Sequence, residues 1–254
     1  MKKYTSIYKN ICMLLILSIL TTGIALAVSD NDDSQADEHN PVITIEDPVR
    51  GIAKAEFTHH DKTSKKSVVT SSLVPGAGTC WGTFATWNNN LPVSFVINPS
   101  NHQGLGTVFI TSAINMSAET WDNATGRELF KNTYTTDSRA KYGKLDGKNS
   151  IVFGTTSPGT IAVTSTWYYT STGQIVEFDM KFNTYYTWGN ADLNSGVMDL
   201  QDIATHELGH SIGMNDVYTS SCSNVTMYGY GSNGETYKRT LDPLDILGLL
   251  SLYP

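Results

Sequence analysis

Apolar residues alternate or recur at helical spacing from about Thr79 onward, and this pattern predicts a folded domain of strands and helices. Val93, Phe95 and Ile97 alternate with other residues and fall on one face, which is typical of a strand. Residues 107–123 carry apolar side chains at helical spacing, and the sequence DNATG at their end is a stop signal for a helix.

Three further apolar runs, separated by turn residues, predict additional strands. They are NSIVFGTT, GTIAVTSTWYY and QIVEFDMKFN, and the TSTG between the last two predicts a hairpin connection. A helix is expected from Asp199, whose carboxylate would cap it, with Asp202 as an acid in its first turn. A final amphipathic run, LDPLDILGLLSLY, closes the sequence.

The N-terminal residues 1–27 have the layout of a secretory signal peptide. Lys2, Lys3 and Lys9 precede an apolar run that ends in a small-x-small triplet at Ala27. Cleavage after Ala27 would give an exported protein. The alternative is an uncleaved membrane anchor, because the apolar run is nearly long enough to span a bilayer.

Residues 28–78 differ in composition from the sequence that follows. Their first part is acidic and polar, which predicts a solvated leader or short prosegment, and the folded domain is expected to span 79–254. His59 and His60, beside Asp61, are metal-binding residue types. In so polar a segment, however, they are expected to be solvated and are assigned no role.

The charge of the exported part limits its partners. Removing residues 1–27 would take away three of the 17 basic residues and none of the 24 acidic ones, which leaves a net charge of about −10. Such an acidic protein is not expected to bind nucleic acid or anionic lipid.

Two cysteines remain once the signal peptide is removed, Cys80 and Cys222. An even pair in an exported protein favours a disulfide. The alternative is that one thiolate caps a metal ion and keeps the protein inactive.

The sequence HELGHSIGMND, which begins at His206, carries the most specific chemistry. Residues four apart lie on one face of a helix, so His206 and His210 can reach the same metal ion. Glu207 lies beside that face, where it can act as the base that deprotonates an attacking water.

A catalytic zinc needs a third protein ligand. Asp216 is the preferred candidate, because a sharp turn at Gly213 would return the chain to the metal, and glycine suits such a turn. Glu235 is the rival acid. His102 is disfavoured, because it lies far away in the sequence.

The motif and its surroundings resemble a known group of zinc proteases. HELGHSIGMND followed by VTMYGY resembles the metzincin pattern, in which Met227 would be the methionine of the Met-turn. VMDLQDIATHELGHSIG and LDPLDILGLLSLYP resemble the catalytic and C-terminal helices of matrixins, and the likeness covers about residues 80–254. Asp216 in place of a third histidine is similar to the snapalysin group, which are also metzincins.

The resemblance implies an α+β fold. A twisted, mostly parallel mixed sheet of five strands would pack against two long helices, and a small C-terminal subdomain would hold the Met-turn and a final helix. The strand near 161–167 resembles the edge along which matrixins align an extended protein or peptide substrate. A monomer is expected.

The resemblance also implies a secreted zinc endopeptidase. One catalytic zinc would be held by His206, His210 and Asp216, with a zinc-bound water that Glu207 deprotonates. Tyr218 is the candidate for stabilising the oxyanion, by likeness to the snapalysins, and the weaker candidates are Tyr228 and Tyr230.

Other features of vertebrate matrixins are not matched by this sequence. Cys80 lies in GTCWGTF, which lacks the cysteine-switch motif, and GTTSPG has no histidine for a structural zinc. No motif supports calcium. The alternative function is a catalytically silent, secreted zinc-bearing binding or surface protein, but such a protein has no need of a base at Glu207.

Overall fold

A computed structural model of the protein describes residues 41–64 and 80–254. The predicted signal peptide, residues 28–40 and 65–78 of the predicted leader, and Thr79 lie outside this description. Helices α1 to α3 are Thr107–Thr125, Leu200–Ser211 and Pro243–Leu252. Strands β1 to β10 are Val42–Asp47, Ile52–Asp61, Val96–Ile97, Thr135–Thr136, Ser150–Gly154, Thr160–Tyr169, Ile175–Asn183, Trp188–Gly189, Met198–Asp199 and Tyr230–Gly231. No helix within the two described ranges is both long and apolar enough to cross a bilayer.

Among the described residues, eight strands form one sheet in the order β1-β2-β6-β7-β5-β3-β4, with β10 beside β2. Strands β7, β5, β3 and β4 run parallel to one another, and β6 is antiparallel to β7. Strands β3 to β7 are therefore the expected mostly parallel mixed sheet of five strands. The sheet is larger than expected, because β1, β2 and β10 extend it beyond β6.

Strand β2 comes from the segment that was expected to be a leader. It pairs antiparallel with β6 from Ile52 opposite Tyr169 to His60 opposite Thr160. Its alternate side chains Ala55, Phe57 and His59 are buried, as in a strand with one face on a core. The expectation that His59 is solvated is therefore wrong, because the edge of β6 supplies the main-chain partners that the polar segment lacks by itself.

Helix α1 packs against α2 as the apolar spacing predicts. It ends at a left-handed Gly126, whose φ is 65°. Trp121 donates from Nε1 to the carbonyl of Thr205 at 2.8 Å, and Ser117 donates from Oγ to the carbonyl of Gln201 at 2.9 Å. These two bonds fix the position of α2 relative to α1.

Helix α2 begins as predicted. The Asp199 carboxylate caps the helix by accepting the N–H of Asp202 at 2.9 Å. Asp202 in turn accepts the N–H of Lys238 at 2.7 Å, and Arg239 donates from Nε to Asp199 at 2.9 Å. The acids at the start of α2 therefore anchor the 3-10 turn Tyr237–Arg239 of the C-terminal region.

The predicted disulfide is present between Cys80 and Cys222, whose Cα atoms are 5.4 Å apart. Neither thiol is therefore available to cap a metal ion. The bond joins residues 142 positions apart, so it closes a long loop in the unfolded chain.

We expect the double variant Cys80→Ala, Cys222→Ala to lose stability. In the chain-entropy description, closing a loop of this length contributes up to about 5 kcal/mol to the free energy of unfolding. Denaturant titration of the oxidised wild type and the double variant measures the difference. Reduced wild-type protein is the control and should match the variant; equal midpoints for oxidised wild type and variant would contradict the expectation.

Candidate metal centre

Helix α2 carries two fully buried imidazoles on one face. His206 Nδ1 lies 2.7 Å from the carbonyl oxygen of Thr226, and His210 Nδ1 lies 2.9 Å from that of Met214. Because a carbonyl only accepts, each Nδ1 carries the hydrogen, and each Nε2 keeps its lone pair. The two Nε2 atoms are 3.1 Å apart, so both lone pairs are available to one metal ion.

A turn at Gly213 brings Asp216 back to the two histidines. The φ of Gly213 is 101°, and a Cβ there would lie 1.9 Å from the carbonyl oxygen of Ala85, so only glycine fits. Asp216 Oδ1 lies 3.2 Å from His206 Nε2 and 3.4 Å from His210 Nε2. The Asp216 side chain is 4% exposed, and Oδ1 has no hydrogen-bond partner.

The three donor atoms fit a zinc ion. Tetrahedral zinc ligands at about 2.0 to 2.1 Å from the metal lie about 3.3 to 3.4 Å from one another. The observed separations are 3.1, 3.2 and 3.4 Å. A buried carboxylate oxygen without a donor also needs a cation beside it. The residues therefore suit the zinc that the resemblance implies.

The protonation states of His206 and Asp216 suit metal binding as well. Burial lowers the pKa of His206 to about 4, so the ring is neutral near pH 7. Burial opposes ionisation of Asp216, but the neighbouring imidazoles of His210 and His206 outweigh it and hold the pKa of Asp216 well below its usual value. A neutral imidazole and an ionised carboxylate are the forms that bind a metal.

Glu207 lies next to this donor set and is fully buried. Its Oε2 accepts the hydroxyl of Thr164, whereas its Oε1 has no hydrogen-bond partner. Burial raises the pKa of Glu207 to about 7, against the opposing effects of His210 and the Thr164 hydroxyl. One oxygen of the carboxylate is therefore oriented and the other is available for a proton.

The segment below α2 fixes the orientation of His206. A Cβ at Gly209 would lie 2.3 Å from Met227 Sδ, so the glycine lets Met227 lie directly against the helix. The Asp245 carboxylate accepts the N–H of Thr226 at 2.7 Å and that of Met227 at 3.1 Å. Since the Thr226 carbonyl holds His206, Asp245 positions this ligand through the main chain; sequence analysis missed it.

Of the other predicted residues, Tyr218 contacts the donor set, whereas Glu235 and His102 do not belong to it. The Tyr218 hydroxyl donates to Asp216 Oδ2 at 3.0 Å. Glu235, the rival acid, instead pairs with Lys62. Within the described ranges, neither Glu235 nor His102 belongs to a group of residues that could hold a metal ion.

Strand β2 covers the donor set of His206, His210 and Asp216. The Phe57 ring stacks on His210 with centroids 4.1 Å apart and planes 10° apart. His59 meets the His206 ring edge-on at 3.9 Å, and its Nδ1 lies 3.7 Å from Glu207 Oε1. The alternation of Ala55, Phe57 and His59 is the signal by which the sequence could have predicted a strand here.

Lys238 is a second residue that sequence analysis missed, since lysine is rarely buried. It is fully buried, donates from Nζ to the carbonyls of Tyr228 and Tyr230, and lies 3.3 Å from His59 Nε2. Burial lowers its pKa to about 8, against the opposing charge of Asp202. Tyr228 and Tyr230, the two weaker candidates for stabilising the oxyanion, therefore contribute main-chain carbonyls that accept hydrogen bonds from Lys238.

Comparison with known proteins agrees with this geometry. A curated relative described as a hatching enzyme, from Paracentrotus lividus, is 30% identical over 171 residues, which are 66% of this chain. The matched part spans 26% of that relative, so the chain corresponds to about a quarter of its length. The family description "Matrixin" matches residues 86–254, which include the whole donor set and Glu207. The chain belongs to the matrixin family.

Proposed function

We propose that the chain is a zinc-dependent endopeptidase that hydrolyses extended protein or peptide segments. Membership of the matrixin family supports a metallopeptidase. The observation that carries the proposal is Glu207, a fully buried carboxylate with one unpartnered oxygen beside a three-donor set. A zinc site that only binds or stabilises has no use for such a carboxylate.

The residues of the site have separate roles in the proposed reaction. His206, His210 and Asp216 would hold one zinc ion, which when bound acts as a Lewis acid on the scissile carbonyl and the attacking water. Glu207 takes the proton of the attacking water at Oε1 and passes it to the leaving amine. The Thr164 hydroxyl donates to Oε2 and so leaves Oε1 available to accept the proton of the water.

Asp216 as third ligand makes the site snapalysin-like. An anionic ligand lowers the net charge of the site relative to three imidazoles, so more of the activation of water falls on Glu207. The hydroxyl of Tyr218 donates to Asp216 Oδ2 at 3.0 Å, which supports a role in orienting this ligand, whereas the oxyanion role rests on the likeness to the snapalysins. Met227 would be the methionine of the Met-turn and form the floor of the site.

Residues 28–78 would be a prosegment that keeps the enzyme inactive. The strand near 161–167 is the proposed pairing edge for substrate, and Ile52–Asp61 occupies the edge of β6 in its place. A substrate strand therefore reaches Glu207 only after Ile52–Asp61 has left. The pattern of residues 1–27 and the disulfide support export to an oxidising compartment.

We expect Phe57→Ser to activate the full chain. The substitution removes the ring that stacks on His210 and would weaken the hold on β2, so casein hydrolysis should rise severalfold. Val49→Ser, at a residue that is 95% exposed, is the matched control and should leave hydrolysis unchanged. A folded Phe57→Ser protein that binds zinc but hydrolyses no faster than wild type would contradict the prosegment.

Glu207→Ala should retain zinc and lose hydrolysis. Loss of a general base costs about 100-fold or more in rate, whereas the three donor atoms are unchanged. Zinc content and casein hydrolysis are to be measured in both the wild-type and the Phe57→Ser backgrounds, with the exposed Glu128→Ala as control. Undiminished turnover in the Glu207→Ala protein would rule out the proposed mechanism.

Asp216→Ala should weaken zinc binding by more than the 10- to 100-fold that loss of an outer partner typically costs. Competition with a chromophoric chelator measures the affinity. Glu235→Ala, which removes the rival acid and its pairing with Lys62, is the matched control and should bind zinc as wild type does. If the effects of the two substitutions were reversed, Glu235 would be the ligand.

A further inference from the structure

At His59 and His60, beyond the part that pairs with β1, strand β2 lies between two strands that hold its main chain from both sides. On one side it pairs antiparallel with β6, with His59 opposite Ala162. On the other side it pairs parallel with β10, with His60 opposite Tyr230, and the His60 N–H donates to the carbonyl of Gly229 at 3.0 Å. An extended peptide in this place would have its side chains set at the same depths as those of β2.

The side chain of His59 fills a closed slot, which we name the His59 slot. The imidazole is 0% exposed, and the edge of the His206 ring forms one wall. A Cβ at Gly231 would lie 2.9 Å from His59 Nε2, so the glycine leaves room for the ring. Lys238 Nζ lies 3.3 Å from Nε2 at one end, and Glu207 Oε1 lies 3.7 Å from Nδ1 at the other.

The two ends of the slot have different hydrogen-bonding chemistry. An ammonium group has three N–H donors. Lys238 directs two of them at the carbonyls of Tyr228 and Tyr230, and the third faces the slot. An unmet buried donor is unfavourable, and more so when it is charged. The occupant of the slot must therefore offer an acceptor to Lys238.

The far end sets a second condition. Glu207 Oε1 has no hydrogen-bond donor and lies 3.7 Å from His59 Nδ1, so an occupant with an N–H at this end suits it. A carboxylate would offer an acceptor to Lys238 but has no donor for Glu207. Imidazole and carboxamide groups meet both conditions.

We propose that Lys238 is a specificity-determining residue, which selects substrates with glutamine or histidine at the position that His59 occupies. This inference rests on the proposed peptidase function and names the substrate class of the same cleft. The latent chain places its own histidine in the slot, so residue 59 reports the preference without any added substrate.

The test compares His59→Gln with His59→Met in the full chain. The two side chains have nearly the same length and volume, but only glutamine accepts a hydrogen bond at its tip. Hydrogen exchange of the β2 amides, followed by mass spectrometry, measures how firmly the strand is held. We expect the protection of Ile52–Asp61 in the glutamine variant to exceed that in the methionine variant by about tenfold or more.

The same pair is then made in the Lys238→Met background, where the donor is absent. There the ratio should fall to about one or reverse, since methionine then meets no unsatisfied amine. Equal protection of the two variants beside Lys238, or an unchanged ratio without it, would overturn the inference. The first comparison needs no substitution of Lys238, so the test stands even if the Lys238→Met protein fails to fold.

A hydrolysis assay distinguishes a failure of this inference from a failure of the peptidase proposal. Casein fragments from the Phe57→Ser protein should carry glutamine or histidine at one fixed position relative to the cut bond, and the added Lys238→Met should remove that enrichment. If exchange shows the expected ratio, but a zinc-loaded Phe57→Ser protein whose Ile52–Asp61 amides have lost protection hydrolyses no casein, the slot chemistry holds and the peptidase proposal fails. If casein is cut without enrichment and the exchange ratio is one, the peptidase proposal stands and the inference about the His59 slot fails.

Discussion

The site depends on holding the carboxylate of Asp216 out of water against two buried imidazoles. A buried carboxylate is unfavourable unless hydrogen bonds and opposite charge replace its hydration. The Tyr218 hydroxyl supplies the hydrogen bond at Oδ2, and the space between Oδ1 and the two Nε2 atoms suits a cation. The main chain enforces the arrangement, because carbonyl acceptors at Nδ1 of His206 and His210 prevent the rings from turning.

Support for this arrangement extends through the chain in both directions. The segment after Cys80 clamps the turn, since the Phe84 N–H donates to the carbonyl of Gly213 at 2.9 Å. The Cys80–Cys222 disulfide ties that segment to the region just before the Met227 turn. The candidate metal centre therefore depends on three separated parts of the sequence, which meet only in the folded state.

Short-range features of the sequence were sufficient to predict the elements that form the centre. The i, i+4 spacing of His206 and His210 requires only a helix, and Gly213 followed by Asp216 requires only one turn. The capping of α2 by Asp199 is equally local. These predictions concern residues within a few turns of chain, where propensity and spacing determine which side chains share a face.

Of the residues whose place was missed, His59 depends on long-range pairing. His59 is buried only because β2 adds to β6, about 100 positions later in the sequence, and composition alone favours a solvated segment there. Lys238 is buried because carbonyls of Tyr228 and Tyr230 satisfy its ammonium group. Asp245 does have a local signal, the capping box at the start of α3, but its effect on His206 passes through the Met227 turn.

In the proposed mechanism, latency and specificity are coupled, because both use the same contacts. The pairing edge of β6, the ring of His210 and the ammonium of Lys238 hold β2 in place, and an extended substrate would use them in its turn. A change that improves the fit of residue 59 therefore strengthens the latent state, whereas a change in the slot alters substrate and prosegment together.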